Sequence, residues 1–205
     1  HFRTTVENSL LNWNTDTVDY GLDLRINLKT KFFFGSEYTY SEVKGGKSTD
    51  DDLENGFGAI SSHGVHGRGN DIKSYVGFRQ ILNNRLTIEP RLGGFYKEFE
   101  VSTVGGNAYY DGIARVLFGV DEESFSGLGS RTRTQYYGIL FGGELEYRLS
   151  NNSTVSLAVD YMLPIKYRAD NIWYLRQPPM HWYLENSPDS GKGDNGVRVK
   201  AGLEY

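Results

Sequence analysis

Cysteine is absent from the 205 residues of this chain, which excludes disulfides and thiol chemistry. No apolar run approaches the roughly 18 residues of a membrane-spanning helix. Basic residues are not in excess, since 22 Lys and Arg stand against 26 Asp and Glu, and this gives no reason to expect a nucleic-acid partner. The opening HFRTTVENSL has neither the basic nor the apolar region of a signal peptide, so we expect such a segment to have been removed if the protein is exported.

Glycine and tyrosine are abundant, whereas aliphatic residues are modest in number. The chain has 25 Gly, and its 15 Tyr outnumber its 11 Phe. A helical globular protein would carry more Ala and Leu, so this composition favours an all-β fold. The length predicts a single domain over residues 1–205.

Apolar and polar residues alternate along much of the chain, which is the pattern of strands whose two faces meet different surroundings. Short polar sequences such as KTK, NNR and SNNS separate successive strands and predict tight hairpin turns. We predict eight strands, at about residues 2–12, 18–28, 32–42, 71–82, 86–96, 137–149, 155–168 and 196–205.

The predicted connections fall into two classes that alternate along the chain. Tight turns alternate with polar, Gly-rich segments at about 43–70, 105–130 and 170–195, which we interpret as long loops. The first connection, WNTDT, is the exception, because it belongs with the long loops by this alternation but is short.

Alternation alone leaves two architectures open, a soluble calyx or sandwich with its apolar face inward and a membrane barrel with that face outward. Strands of 11 or more residues and loops sorted by length onto one rim favour the barrel. The apolar faces also end in aromatic residues, as in the girdles of membrane barrels. These residues are Tyr20, Tyr40, Tyr96, Tyr137 and Tyr167 toward the long loops, and Phe32, Tyr147 and Tyr205 toward the tight turns.

The polar faces of the predicted strands have the composition of an enclosed lumen. Seven acids meet eight bases there, a near balance that burial requires, because an unpaired buried charge costs several kcal/mol. Six glycines on the same faces leave room for the Arg side chains. The predicted lumen charges are Asp23, Arg25, Glu37, Lys73, Arg79, Glu89, Arg91, Glu144, Glu146, Arg148, Asp160, Lys166, Arg198, Lys200 and Glu204.

The chain resembles a small eight-stranded bacterial outer-membrane β-barrel, of the class that includes the outer-membrane protein A barrel and the OmpX-like and OmpW-like proteins. The most specific motif is the closing VRVKAGLEY, which resembles the terminal assembly signal of these barrels and contains Val199, Ala201, Leu203 and Tyr205. The resemblance implies an up-and-down antiparallel transmembrane barrel in a Gram-negative outer membrane, with short periplasmic turns and long extracellular loops. It also implies insertion by the barrel-assembly machinery, contact with lipopolysaccharide, and both termini in the periplasm.

Closure of such a barrel requires its first and last strands to pair. We therefore predict that the closing GVRVKAGLEY pairs with the first strand, near FRTTVENSLL. That pairing would explain why the chain can end within a strand.

Enzyme motifs known from outer-membrane barrels are not intact here. Omptin proteases use a pair of acids and an Asp-x-His, and no His of this chain follows an Asp by two positions. The lipid A deacylase family uses His-x-Ser, which is also missing. The segment SSHGVHGRGND gathers His63 and His66 near Ser61, Ser62 and Asp71, a weak candidate for a nucleophile and base or for a metal pair. We expect no cofactor and no resident metal.

The segment NIWYLRQPPMHWYLEN is the most unusual of the predicted loops. Aromatic residues of this kind are favoured at binding hot spots, and a Pro pair stiffens their presentation. The candidate external binding residues are Trp173, Tyr174, His181, Trp182 and Tyr183. An aromatic loop that rests on the membrane surface or caps the barrel is the alternative interpretation.

Together these features predict a non-enzymatic outer-membrane barrel that acts in binding or adhesion, or as a structural component of an outer-membrane assembly. A lumen of eight strands leaves just enough space for side chains, so a wide pore is not expected. Two alternatives stay open: a narrow channel for small or apolar solutes, and an enzyme at the rim that modifies lipid or peptide.

Overall fold

The fold is an all-β sheet whose strands follow the alternation of the sequence. A computed structural model describes residues 2–6, 9–28, 31–52, 59–110, 112, 115, 116, 119, 121–173, 187–191 and 196–204. Within these residues the strands are β1 (Phe2–Val6), β2 (Ser9–Asn27), β3 (Phe32–Asp52), β4 (Ala59–Phe78), β5 (Gln80–Ile81), β6 (Leu86–Tyr110), β7 (Glu122–Arg148), β8 (Thr154–Trp173), β9 (Ser187–Gly191) and β10 (Gly196–Glu204).

The strands form one antiparallel sheet in the order β1, β2, β3, β4, β6, β7, β8, β10, with β5 beside β6 and β9 beside β8. Apart from the short β5 and β9, strands that follow one another in the chain are therefore neighbours in the sheet. The sheet curls like the wall of a barrel. This curvature brings the side chain of Arg198 on β10 to Glu37 on β3. No helix of the described residues is both long and apolar enough to cross a membrane.

Tight turns join the strands at one end of the sheet, which we name the turn rim. Backbone hydrogen bonds from Leu28 to Phe32, from Leu82 to Leu86 and from Leu149 to Ser153 close these turns at 2.8 to 2.9 Å. The opposite end, near Val6, Asp52, Tyr110 and Trp173, is the loop rim. The turn positions predicted from the sequence are those of the structure.

The predicted first connection between strands, WNTDT, is wrong, because residues 13–17 lie inside β2. Trp13 pairs with Ser48 and Thr17 with Val43, and a register shift between Asp16 and Thr17 accommodates the irregular sequence. The predicted first strand over residues 2–12 is accordingly divided: β1 ends at Val6, and β2 begins at Ser9. Polar threonines and asparagines here continue a strand, because this part of the sheet carries polar residues on its outer face.

Two of the three segments predicted as long loops are largely strand, and in the third the described residues 170–173 and 187–191 are strand. β3 and β4 include residues 43–52 and 59–70, and β6 and β7 include residues 105–110 and 122–130. Val43 pairs with Gly67 and Lys47 with Gly64, and the residues between Val43 and Lys47 form an irregularity. Gly46 lies within it at a φ of 138°, a conformation that suits glycine and few other residues. The Gly-rich composition therefore reflects irregular strand pairing rather than loops.

The outer face of the sheet changes character along the strands. On β4 the outward residues nearest the turn rim include Val76 and Ile72, both exposed, and they are followed toward the loop rim by Asn70 and Arg68. Stacked tyrosines mark the change: the rings of Tyr20 and Tyr40 lie 6.4 Å apart, and those of Tyr96 and Tyr137 lie 6.1 Å apart. An apolar band therefore runs around the sheet from the turn rim to these tyrosines, and a polar surface lies beyond it.

The inner face is charged near the turn rim and becomes apolar toward the loop rim, opposite to the outer face. Beyond the tyrosines it holds a buried cluster of Trp13, Val43, Val65 and Val101, with Phe99 packed against it. Buried hydroxyls accompany the cluster, and those of Thr103 and Ser130 lie 3.0 Å apart. Toward the turn rim the inner face is charged. The strands thus form an apolar-inside structure near the loop rim and an apolar-outside structure near the turn rim.

A bulge in β8 places two residues on the opposite face of the sheet from the one predicted. Tyr137 pairs with Lys166 and Gly138 with Pro164, which leaves Ile165 as an extra residue that exchanges the two faces of the strand. Lys166, predicted in the lumen, therefore lies on the outer face, with its Nζ 6.0 Å from the centre of the Tyr137 ring. Tyr167, predicted on the outer face, instead packs its ring 4.8 Å from that of Tyr136.

Glycines on the inner face accommodate aromatic rings of the neighbouring strand. Gly35 pairs with Tyr75 and Gly77 pairs with Phe33, and a Cβ atom at either glycine would overlap the ring opposite. The prediction that these glycines make room for Arg side chains is therefore corrected at both positions. The rings fill that space and in turn support the arginines.

We predict that Gly77→Ala lowers the free energy of unfolding by about 1–3 kcal/mol, because the added methyl group must displace the Phe33 ring. The measurement is urea unfolding followed by the gel mobility of unheated protein. Gly94→Ala is the matched control, since a Cβ there would meet its nearest atom, the carbonyl oxygen of Gly138, at 3.5 Å. Equal effects of the two substitutions would contradict the proposed packing.

Candidate functional site: the charged lumen

The inner face between the tyrosines and the turn rim carries most of the predicted lumen charges. Every second residue of a strand faces inward, so this set comes from β2, β3, β4, β6, β7, β8 and β10 together. Acids and bases meet across the lumen rather than only along one strand. The structure divides them into two groups of ion pairs.

The first group is centred on Asp160, whose side chain is 1% exposed. Arg91 donates from Nε to its Oδ1 at 2.6 Å, and Arg198 donates from Nε to its Oδ2 at 3.0 Å. Arg198 also pairs with Glu37. One buried carboxylate therefore holds two guanidinium groups, from β6 and β10, and the second of these reaches on to β3.

Glu37 completes this group. Its Oε1 accepts hydrogen bonds from Arg198 Nη2 at 3.1 Å and from the Tyr75 hydroxyl at 3.2 Å. Its Oε2 accepts a hydrogen bond from Lys200 Nζ at 3.1 Å. We name Glu37, Arg91, Asp160 and Arg198 the central ion group.

The second group lies nearer the turn rim and is centred on Glu89, which is also 1% exposed. Arg25 binds it with two nearly parallel hydrogen bonds of 2.6 and 2.8 Å, the bidentate geometry typical of a strong pair. Arg79 Nε lies 3.1 Å from the same carboxylate, and Arg79 Nη2 lies 2.6 Å from Glu146. This group links the strands β2, β6 and β7 with Arg79, the residue that follows β4.

Aromatic rings support one arginine of each group. The guanidinium carbon of Arg25 lies 3.9 Å from the centre of the Phe33 ring, and that of Arg91 lies 4.9 Å from the centre of the Tyr75 ring. A guanidinium over an aromatic face is held electrostatically by the ring quadrupole. The sequence pattern did not reveal this role for Phe33 and Tyr75.

The lumen contains a cavity of about 330 Å³ between these groups. Its walls include charged residues from several strands, Asp23, Arg25, Glu37, Arg91, Glu144 and Lys200. Farther from the turn rim the interior is filled by the fully buried Leu140 and by Phe95, and then by the apolar cluster around Trp13. The charged cavity thus ends against a packed interior.

Three other predicted lumen charges lie outside these two groups of ion pairs. Asp23 is 71% exposed, and its nearest cation is Lys200 at 3.9 Å. Lys73 is buried and pairs with Asp71 at 3.2 Å. Arg148 is exposed at the end of β7. The side chain of Glu204 lies outside the described residues.

The predicted external binding residues cannot be located as a group. Trp173 is the last residue of β8, where it pairs with Ser130. Tyr174, His181, Trp182 and Tyr183 lie outside the described residues.

The predicted assembly signal is placed in part. Val199, Ala201 and Leu203 are exposed on the outer face of β10, and Tyr205 lies outside the described residues. The predicted pairing of this tail with the first strand is not found among the described residues: β10 pairs with β8, β1 pairs with β2, and no described pair joins β10 to β1. The reason is that β1 pairs only with Ser9–Trp13, near the loop rim, whereas β10 lies near the turn rim.

The weak catalytic or metal candidate does not come together. His66 and Asp71 both lie on β4, but their positions differ by an odd number, so they face opposite sides of the sheet. The side chains of Ser61, Ser62 and His63 lie outside the described residues. In the described part of the chain, no group of three or more His, Asp or Glu side chains is placed to hold a metal ion.

An additional polar network lies on the outer face just beyond the tyrosines. Glu98 accepts hydrogen bonds from Tyr96 at 2.6 Å, Arg133 at 2.7 Å and Gln135 at 2.8 Å. Burial alone would raise the pKa of the Glu98 carboxyl, but these hydrogen bonds lower it to about 2. The signal in the sequence is the charged residues that continue the outward positions of β6 and β7 beyond Tyr96 and Tyr137.

Comparison with known protein families identifies a match over nearly the whole chain. A family model described as Pom, Protochlamydia outer membrane protein, matches residues 5–196. No curated protein matches the chain. The match agrees with the prediction of an outer-membrane β-sheet protein, while the narrower resemblance to the outer-membrane protein A, OmpX and OmpW class stays a prediction.

We predict that Asp160→Ala lowers the free energy of unfolding by about 3–5 kcal/mol, because it leaves Arg91 and Arg198 without their shared buried carboxylate. Asp23→Ala is the matched control, and removal of this exposed carboxylate is expected to cost less than about 1 kcal/mol. Urea unfolding in detergent micelles measures both. A cost for Asp160→Ala as small as that of the control would exclude a central structural role for this residue.

We also predict a pH-dependent contribution from Glu98. Because the folded pKa is about 2 and the ordinary value is 4.5, its stabilising effect is complete above 4.5 and is lost as the pH falls toward 2. The difference in unfolding free energy between the wild type and Glu98→Gln should therefore shrink over this interval. A difference that is independent of pH would contradict the hydrogen-bonded, ionised state of Glu98.

Proposed function

The chain belongs to the Protochlamydia outer membrane protein family, and from this premise we propose that it is a non-enzymatic structural barrel with an occluded lumen. In this proposal the apolar band meets lipid, and the sheet beyond the tyrosines stands above the membrane. That extension presents a polar surface for binding or assembly. The protein would serve as a wall component and surface scaffold, and not as an open pore.

The central ion group is the observation that carries the proposal. Its carboxylates and guanidinium groups come from β3, β6, β8 and β10, and they meet in the middle of the lumen. Leu140 and Phe95 are buried directly beyond it. A solute that crossed this lumen would have to separate buried ion pairs and then pass through an apolar interior.

The extension near the loop rim supports the scaffold role. Its outer face carries paired charges, including Arg131 with Glu100 at 2.8 Å and Arg133 with Glu98 at 2.7 Å. Its interior holds the cluster around Trp13, so it is stabilised in the manner of a water-soluble barrel. A rigid sheet of this kind is suited to hold a binding surface at a fixed height above lipid.

The proposed orientation places the turn rim in the periplasm and the loop rim outside. β10 ends at the turn rim, where Glu204 pairs with Thr154, so the carboxyl terminus would be periplasmic. The exposed apolar residues of β10 would then be available to the barrel-assembly machinery during insertion. The outer lipid, including lipopolysaccharide, would meet the tyrosine belt and the charged residues beyond it.

A narrow channel is the second candidate function, and the charged cavity of about 330 Å³ favours it. The cavity is lined by both acids and bases, as expected of a site that small polar solutes enter. For conduction, the central ion group and the residues beyond it would have to move apart. Conductance measurements distinguish this function from the scaffold.

We predict that the wild-type protein shows no steady single-channel conductance in planar bilayers. The double variant Glu37→Ala/Arg198→Ala removes both partners of one lumen pair and leaves Asp160 paired with Arg91, so the central ion group should loosen and allow transient openings. Glu98→Ala/Arg133→Ala removes an outer-face pair and should behave like the wild type. A steady wild-type conductance that rises with salt would overturn the occluded scaffold in favour of the channel.

A further inference from the structure

The curled sheet has an open seam between β2 and β10. β2 pairs with β3 along its length, but on its other side it pairs with β1 only at Ser9–Trp13. β10 pairs with β8 on one side, and no described strand pairs with its other side. Backbone N–H and C=O groups along Asn14–Asn27 and along β10 therefore point into the seam without a strand partner among the described residues.

This seam lies within the apolar band. The outward residues beside it include Leu22, which is 69% exposed, and Leu24 and Val199, which are exposed as well. In lipid no water is available to bond the open backbone groups, so a sheet edge at this depth requires a strand partner. The seam therefore presents unpaired backbone groups to which a further strand could hydrogen-bond.

The two edges cannot satisfy each other in the manner of the rest of the sheet. β2 ends at Asn27 and β10 ends at Glu204, both near the turn rim, so the two strands run in the same direction. Every described strand pair is antiparallel. One strand that runs from the turn rim toward the loop rim would be antiparallel to both edges.

β1 already shows the position of such a strand. It runs opposite to β2, and its Phe2 pairs with Trp13, the residue directly before the open edge. A strand in line with β1 and extending toward the turn rim would next meet Asn14 and could continue to Asn27. Its inner and outer faces would follow those of β2.

The inner face of the open edge is acidic. Asp19 and Asp23 are exposed there, and the only cation near Asp23 among the described residues is Lys200, which also binds Glu37. No ion pair of the described residues includes Asp19. Arg25, the base on the same edge, is already bound to Glu89. An inserted strand would therefore complement the edge best with basic residues opposite Asp19 and Asp23.

We propose that the seam binds a single β-strand that lies in line with β1, antiparallel to β2 and β10, with apolar residues outward and basic residues inward beside Asp19 and Asp23. The strand adds to the sheet by backbone pairing, and the charges fix its register. The occupant is thus a peptide segment of defined direction and pattern.

A cross-linking experiment tests the proposal on the full chain, which has no cysteine of its own. The probe is a synthetic peptide as long as Asn14–Asn27, with Leu outward, Thr inward, Lys opposite Asp19 and Asp23, and one Cys opposite Leu22. Disulfide formation with Leu22→Cys should be at least about tenfold faster than with Val76→Cys, because bound peptide is held at a high effective concentration. Val76 is the matched control, since it is outward and 57% exposed but lies on a strand paired on both sides.

A charge exchange tests the register. Asp23→Lys in the Leu22→Cys background should slow the reaction with the Lys peptide about tenfold, because like charges then face each other. A peptide with Glu opposite position 23 should restore the rate. Equal rates for Leu22→Cys and Val76→Cys, or no effect of the charge exchange, would overturn the proposal.

Two further controls identify other occupants. A disulfide-linked dimer of Leu22→Cys formed without peptide would show that a second copy fills the seam. A disulfide within the double variant Leu22→Cys/Val199→Cys, again without peptide, would show that β2 and β10 close directly on each other. Either result would overturn the single inserted strand.

Discussion

The constraint on which the rest of this structure depends is the need to pair charges that the sheet encloses, and it is most acute at Asp160. That carboxylate is almost completely buried and holds guanidinium groups from two strands, Arg91 and Arg198. Burial of these charges is costly in itself, so the pairs are not evidence of a large stabilising energy. They matter because loss of one partner would leave the others buried without an opposite charge. This requirement fixes which strands face one another across the lumen.

The same constraint explains why the two halves of the sheet have opposite polarity. Where the outside is apolar, the polar residues of each strand can only turn inward, and they pair there through Asp160 and Glu89. Where the outside is polar, as around Glu98 and Arg133, the inner positions no longer need charge, and Val65 and Val101 form a packed core. The tyrosine belt lies where the two regimes meet, because a tyrosine has both an apolar ring and a polar hydroxyl.

Sequence periodicity predicted much of the half of the sheet nearest the turn rim, because there each strand contrasts apolar with charged residues. The tight turns and the inward positions of Asp160, Glu89 and Arg198 follow from that contrast. The half near the loop rim was predicted as loop, since glycines, threonines and serines alternate with little difference in hydropathy. The bulge at Ile165 reversed the expected positions of Lys166 and Tyr167. Its local signal is Pro164, since proline within a sheet is confined to edges, strand starts and bulges, but the alternation of the sequence passes over it. The predicted pairing of the chain ends is not found among the described strands for a related reason: periodicity assigns faces but does not say how far along a neighbour a strand extends.

The lumen charges also bear on the seam, since they join the two sides of it without backbone pairing. Arg198 and Lys200 on β10 both reach Glu37 on β3 across the seam, past β2, which neighbours β3 but does not pair with β10. Side chains can therefore hold the curved shape of the sheet while its backbone edges stay open. A strand that enters the seam would meet two edges that are already held in place. Its binding would therefore cost less conformational entropy than if the sheet had to fold around the strand. The proposed occlusion of the lumen and the proposed binding of a strand at the seam would in this sense both follow from one ion-pair network.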